Sequence, residues 1–195
     1  GFPIRDLDFT VEGPALKFAR DLAKQHKAEI VSVDELRKSA ELRFPSGARC
    51  AISMAHTEKF SKPGAKPQVT PATIHEDLRR RDFTINSIAL SLNRASRGLL
   101  IDPTNGAGDI EHRELRAVSP YSLFDDPIRL LRLVRFRTRF GFSVEEKTWQ
   151  QFLNAREAGV QKLIAPRALY QELYEITQEP QPCDVFASLD KEGLL

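Results

Sequence analysis

The sequence predicts an α+β chain in which a small mixed α/β lobe precedes an all-helical lobe. Three observations predict it. Residues 6–54 alternate between period-two segments and one amphipathic helical stretch; strand signals stop after Asp126; and three successive segments from there on carry helical spacing. With 195 residues and 41% hydrophobic content, such a chain buries one good core, divisible into two small lobes.

The first element is the strand opening DLDFTVEG, residues 6–13. In extended backbone Leu7, Phe9 and Val11 share one face, while Asp6, Asp8 and Thr10 share the other. Gly13-Pro14 then opens an amphipathic helix to about Lys27, with Leu16, Ala19, Leu22 and Ala23 on one side. A strand follows over 28–33 (AEIVSV), and ELRF and RCAISM, joined through PSGA, read as a hairpin. The Pro- and Gly-rich stretch 61–72 reads as a loop. Beyond it, DPIRLLRLVRFRTRF, VEEKTWQQFLNAREAG and PRALYQELYEIT are helices, with Gly141 and Gly159 as breaks. The lobe boundary is expected near Pro120.

Composition excludes several classes. Cys50 and Cys183 are the only cysteines and the four histidines lack zinc spacing, so a metal would be held by oxygen, and a reducing compartment is compatible. No apolar run approaches the roughly 20 residues needed to cross a bilayer. The expectation is a cytoplasmic protein without a membrane partner. The net charge is only +2, yet the arginines cluster, and local clusters matter more than the total when the partner is a polyphosphate.

Three constellations can carry chemistry. Asp6 and Asp8 can grip Mg²⁺ beside a phosphate, although acids at this spacing arise on the order of four times by chance in such a chain; a solvated strand face is the alternative. EDLRRRDFTIN, residues 76–86, reads either as a solvated helix end or as a nucleotide site, with arginine donors for triphosphate oxygens and Asp82 accepting from a ribose hydroxyl. In residues 124–140, Asp126 and Arg129 stand three apart on one helix face, and Arg132, Arg135 and Arg139 continue it as a basic stripe. Asp126 either caps the helix ahead of Pro127, or forms with Arg129 a pair complementary to the amine and ring nitrogen of adenine or cytosine.

DLDFTVEG, DLRRRDFTIN with SIALSLN, LIDPTNGAGDIEHRELRAVSP, FDDPIRLLRLVRF and APRALYQEL resemble, in order and spacing, the class II tRNA nucleotidyltransferases and bacterial poly(A) polymerases. The resemblance spans nearly the whole chain. It implies a nucleotidyltransferase head over 1–119, with a mixed five-stranded sheet and helices, and a helical neck over 120–195. It also implies that Asp6 and Asp8 are the catalytic metal pair for Mg²⁺. Arg81, Asp82 and Asn86 fall in the nucleotide and ribose motif, Asp126 and Arg129 in the template selecting ATP and CTP, with Arg132 beside them and Arg135 and Arg139 towards RNA.

The implied activity is template-independent addition of A, or of C and A, to the 3′ end of tRNA, with pyrophosphate leaving. Poly(A) synthesis on other RNA and a catalytically impaired nucleotide- or RNA-binding module of the same fold are the alternatives. Three departures bear on that choice. The glycine-rich turn that ordinarily precedes the DxD strand is absent. Ala51 stands where the family strand brings a third carboxylate, and His56 stands where it brings an arginine. The family also continues into further helical domains beyond the position of Leu195.

Overall fold

The computed structural model of the chain describes residues 7–195, so the Asp6 half of the expected metal pair lies outside the described residues. Two compact units result, Gly1–Lys59 with Gln68–Asp77, and Phe60–Pro67 with Leu78–Leu195. Residues 78–119 thus pack with the helices that follow them.

In the first unit, β1 (Leu7–Val11), α1 (Ala15–His26), β2 (Glu29–Asp34), β3 (Ser39–Arg43) and β4 (Arg49–Met54) succeed one another. The strands form one sheet in the order β1-β4-β3-β2. β1 runs parallel to β4, whereas β4 with β3 and β3 with β2 are antiparallel. Helix α1 places Ala15, Ala19 and Ala23, one turn apart, against Ala40, Leu42, Cys50 and Ile52. Small side chains on one face bring the helix backbone close to the sheet. Gly13, at φ +131°, makes the entry turn that a residue with a Cβ rarely adopts.

After Ala55 the chain continues as β5 (His56–Lys59), which pairs with β6 (Gln68–Pro71) as a separate antiparallel ribbon. Two expectations change here. The main sheet has four strands among the described residues, not five, because β5 takes β6 as its partner. The stretch 61–72 is not all loop, because Val69 and its neighbours complete that ribbon and Pro71 stands at its end, where a missing N–H costs no ladder bond.

Besides Phe60–Pro67, the second unit takes in the end of α2 (Ile74–Arg79) and a 3₁₀ turn at Thr84–Asn86, then β7 (Ala89–Leu90), β8 (Leu100–Ile101), α3 (Gly106–His112) and β9 (Glu114–Leu115). The helices α4 (Ser122–Asp125), α5 (Ile128–Phe140), α6 (Glu146–Glu157), α7 (Pro166–Thr177) and α8 (Pro182–Lys191) follow, with β10 (Ser143–Val144) between α5 and α6 pairing with β9. Its core gathers Phe83, Leu115, Leu123, Leu130, Leu131, Leu133, Val134, Phe152, Ile176 and Leu189. Four of these belong to α5, the central helix. Gly141 ends α5 at φ +61° and Gly159 follows α6 at φ +71°, both as C-terminal left-handed residues.

Candidate functional site

Asp82 organises the second unit's site. It is 7% exposed, and each of its oxygens meets two donors. Oδ1 accepts from the Phe83 N–H (2.8 Å) and from Asn86 Nδ2 (3.1 Å). Oδ2 lies 2.7 Å from both Nε and Nη2 of Arg132. Burial pushes this carboxyl up, but the Arg132 guanidinium, the Asn86 bond and the Arg129 charge together hold it below the usual carboxylate range. The expected role at a ribose hydroxyl would compete with these bonds, because all four acceptor positions of the carboxylate are engaged within the folded chain. Asp82 instead fixes Asn86 and Arg132, and Arg81 closes the turn by donating to the Asn86 carbonyl at 3.0 Å.

Helix α5 supplies the opposite wall. Phe136 meets Phe83 edge-on, ring centroids 5.8 Å apart, and this seats the helix against the 81–86 segment. At its start, Arg129 Nε and Asp126 Oδ2 form the expected pair, 3.5 Å apart. The same guanidinium, only 8% exposed, donates to the Arg80 carbonyl (3.0 Å), the Arg81 carbonyl (3.3 Å) and Ser122 Oγ (2.7 Å). Arg129 therefore ties the arginine-rich segment to the helix. Asp126 stands in extended backbone (φ -127°, ψ 95°) directly before Pro127, which is already helical (φ -58°, ψ -25°), so the backbone suits the helix-cap alternative as well as the pairing with Arg129.

The rest of the stripe turns inward. Arg135 is 5% exposed; its Nε lies 2.7 Å from Glu172, out of line for a hydrogen bond, and its Nη1 lies 3.1 Å from Glu179. Arg139 reaches the same Glu179 at 3.3 Å, and Arg132 approaches Glu172 at 3.7 Å. Arg135, expected to face RNA, lies in the fold between two buried carboxylates, Glu172 and Glu179. Arg139 keeps partial exposure. Burial pushes the Glu172 carboxyl up, against the pull of Arg135 and Arg132.

Supporting residues that sequence reasoning passed over lie in the segment 100–120. Thr84 Oγ1 donates to buried Asp109 at 2.6 Å, and Arg116 holds Asp109 at 3.2 Å. Asp102 accepts from the N–H groups of Gly106 and Ala107 at the start of α3. A Cβ at Gly106 would stand 2.1 Å from the Thr84 carbonyl oxygen, so only glycine lets α3 approach this turn. The motif LIDPTNGAGDIEHRELR was visible as a pattern, but its role as a buttress depends on contacts more than twenty residues apart.

In the first unit, pairing sets Asp8 opposite Ala51 of β4, and Ala51 opposite Glu41 of β3. Paired residues share a face, so Asp8, Ala51 and Glu41 form one row on the side of the sheet away from α1. Phe9, Ile52 and Ala40 form the adjacent row on the core side. Thr10 and Ser53 extend the outer face by one further row. All the polar side chains on these rows offer oxygen, the donor type a hard divalent cation takes. Among the described residues no group of three or more His, Cys, Asp and Glu is arranged to hold a metal ion.

Residues 1–116 match the model of the poly A polymerase head domain, and the chain belongs to that family. Along 192 residues, covering 97% of this chain and 45% of the relative, it is 35% identical to the A-adding tRNA nucleotidyltransferase of Halalkalibacterium halodurans. A CCA-adding enzyme in apo form II is similar over 98% of this chain and 45% of that one, with a TM-score of 0.86 and 35% identity. A tRNA nucleotidyltransferase complexed with a primer tRNA and an incoming ATP analogue has a TM-score of 0.81 and 30% identity, over 100% of this chain and 54% of that one. The family resemblance and the α+β class read from the sequence both hold. The chain spans about half the length of these proteins.

Proposed function

We propose that this chain is the head and neck of a template-independent RNA nucleotidyltransferase that adds A, or C and A, from ATP and CTP to the 3′ end of tRNA, releasing pyrophosphate. The observation that carries this reading is the preorganised cluster of Asp82, Asn86 and Arg132 beside the Asp126–Arg129 pair. Its support includes the relative named for A addition and the neighbour bound to primer tRNA and an ATP analogue. Functionally the head would be residues 1–119 and the neck 120–195. Its two free cysteines are compatible with a reducing cytoplasm.

In this reading Asn86 and Arg132 meet the ribose and phosphates, positioned by Asp82, and Arg81 serves the triphosphate. Asp126 accepts from the exocyclic amine of adenine or cytosine while Arg129 donates to the adjacent ring nitrogen. Arg139, the more exposed end of the stripe, faces RNA. Asp6 and Asp8 would hold Mg²⁺, which supplies charge stabilisation at the α-phosphate and a more acidic 3′-hydroxyl. The all-oxygen outer face around Asp8 suits that ion. A second reading, a nucleotide-binding module of low turnover, is favoured by one observation: Ala51, directly across from Asp8, brings no carboxylate.

Labelled ATP offered with a tRNA lacking its terminal A and with Mg²⁺ should be incorporated, and Asp8→Asn should reduce incorporation by at least about a hundredfold. No incorporation by the parent, with ATP still bound, would select the binding module. For base choice, ATP and CTP should bind more tightly than UTP and GTP. Asp126→Ala should erase about 1–3 kcal/mol of that preference, and an unchanged ATP-to-GTP affinity ratio would remove Asp126 from base recognition.

A further inference from the structure

We infer that Ser122 is a positioning residue for base choice, acting through Arg129. The inference rests on the reading of Arg129 as the donor to a base. Ser122 is the first residue of α4 and is buried. Its carbonyl accepts from the Asp126 N–H at 3.4 Å, while its hydroxyl meets Arg129 Nη1 at 2.7 Å and the Asp82 carbonyl at 3.2 Å. One buried residue thus touches both members of the base-reading pair and the segment that carries Asp82.

The direction of each bond follows from the groups themselves. A guanidinium only donates and a carbonyl only accepts, so the single hydroxyl proton goes to Asp82 and an oxygen lone pair goes to Arg129. The hydroxyl cannot turn from either partner without leaving a buried polar group unpaired. Ser122 therefore holds Nη1 in one orientation relative to the 81–86 segment.

The donors of Arg129 are nearly all engaged inside the fold. Of the five N–H groups of a guanidinium, both on Nη1 are taken, by Ser122 Oγ and the Arg81 carbonyl; one on Nη2 goes to the Arg80 carbonyl, and Nε faces Asp126 at 3.5 Å. Among the described residues this leaves one Nη2 hydrogen without an acceptor. A single fixed donor suits the bare ring nitrogen of adenine or cytosine, whereas guanine and uracil place an N–H there and a carbonyl oxygen beside it. Without the Ser122 hydroxyl, Nη1 regains a donor and the guanidinium is free to swing towards such an oxygen. Loss of that hydroxyl should relax selection rather than weaken all nucleotides alike.

The test is equilibrium titration of ATP, CTP, GTP and UTP against the 195-residue chain, with a thermal melt of each variant. In Ser122→Ala the ATP-to-GTP affinity ratio should fall about tenfold, mainly through tighter GTP. Ser122→Thr, which keeps the hydroxyl, should restore the parent ratio. Thr138→Val removes a hydroxyl bond to Ser188 further along the helix that carries Arg129 and should leave the ratio unchanged. A Ser122→Ala chain that loses affinity for all four nucleotides equally would overturn the inference and make the serine a structural support. An unchanged ratio in Ser122→Ala, where Asp126→Ala flattens it, would also overturn the inference and leave the base-reading pair standing. A parent without preference for ATP and CTP removes the pair and the inference together. If Ser122→Thr does not fold, the contrast between Ser122→Ala and Thr138→Val decides.

Discussion

A single carboxylate, Asp82, shows how the fold can take up a residue's whole bonding capacity within the chain. Its type and position were legible in RRRDFTIN, because an acid after three arginines suits nucleotide chemistry. That its two oxygens would be filled by Phe83, Asn86 and Arg132 was not legible, since Arg132 is fifty residues away. The native environment lowers the pKa of Asp82, so its ionised form is favoured in the folded state. Its contribution to stability is complete above the unfolded value of about 3.9 and disappears as pH falls through the lower folded value. Asp82→Asn should therefore lower the melting temperature at pH 7, and the gap to the parent should narrow below about pH 4. A gap of constant size from pH 7 to pH 2.5 would mean that the carboxylate charge contributes nothing there.

Among the elements, α5 departs most from its sequence pattern. Arginines at positions 129, 132, 135 and 139 describe a basic stripe, and a stripe on an isolated helix faces water. Here the helix is central, with apolar residues at 130, 131, 133 and 134 buried in the core, and the arginines are met by acids from later elements. Glu172 comes from α7 and Glu179 follows it, so the pairing follows from how the helices pack. The long helices themselves were readable from Gly141, Gly159 and Pro166 at their ends. Helix α8 was not, because Val185, Phe186 and Leu189 form too short an apolar stripe, and the two-residue strands β7 to β10 have no period at all. Loss of Arg135 strips two buried carboxylates of their nearest cation and leaves Glu172 with Arg132 at 3.7 Å and Glu179 with Arg139 at 3.3 Å. Arg135→Leu should cost about 3–5 kcal/mol in urea unfolding, while Arg139→Gln, partly exposed, should cost less than about 1 kcal/mol. Were Arg135 an RNA ligand instead, its loss would weaken RNA binding with stability unchanged.

For the whole molecule, chain length, composition and motif order led to the right family and to the α+β class, but not to the row that Asp8 shares across the sheet. Glu41 lies 33 positions from Asp8, and only strand order and register bring them into one row. The same distinction between charges in the sequence and charges presented to solvent governs RNA affinity. If Arg129, Arg132, Arg135 and Arg139 each neutralised one phosphate of a single-stranded 3′ end, log K against log salt concentration would have a slope of roughly −2.8, at about −0.7 per contact. In the folded chain Arg129 is held by backbone carbonyls, Arg132 by Asp82 and Arg135 by Glu172 and Glu179. Arg132 and Arg139 keep 31% and 34% of their side chains exposed, and the net charge of +2 adds little long-range attraction. Titration of a short single-stranded RNA ending like a tRNA acceptor strand, from 50 to 300 mM salt, should give a slope shallower than about −1.5. A slope near −3, reduced by about 0.7 in an Arg135→Gln chain that still folds, would show that the stripe opens to receive RNA and that its interior ion pairs exchange for phosphates.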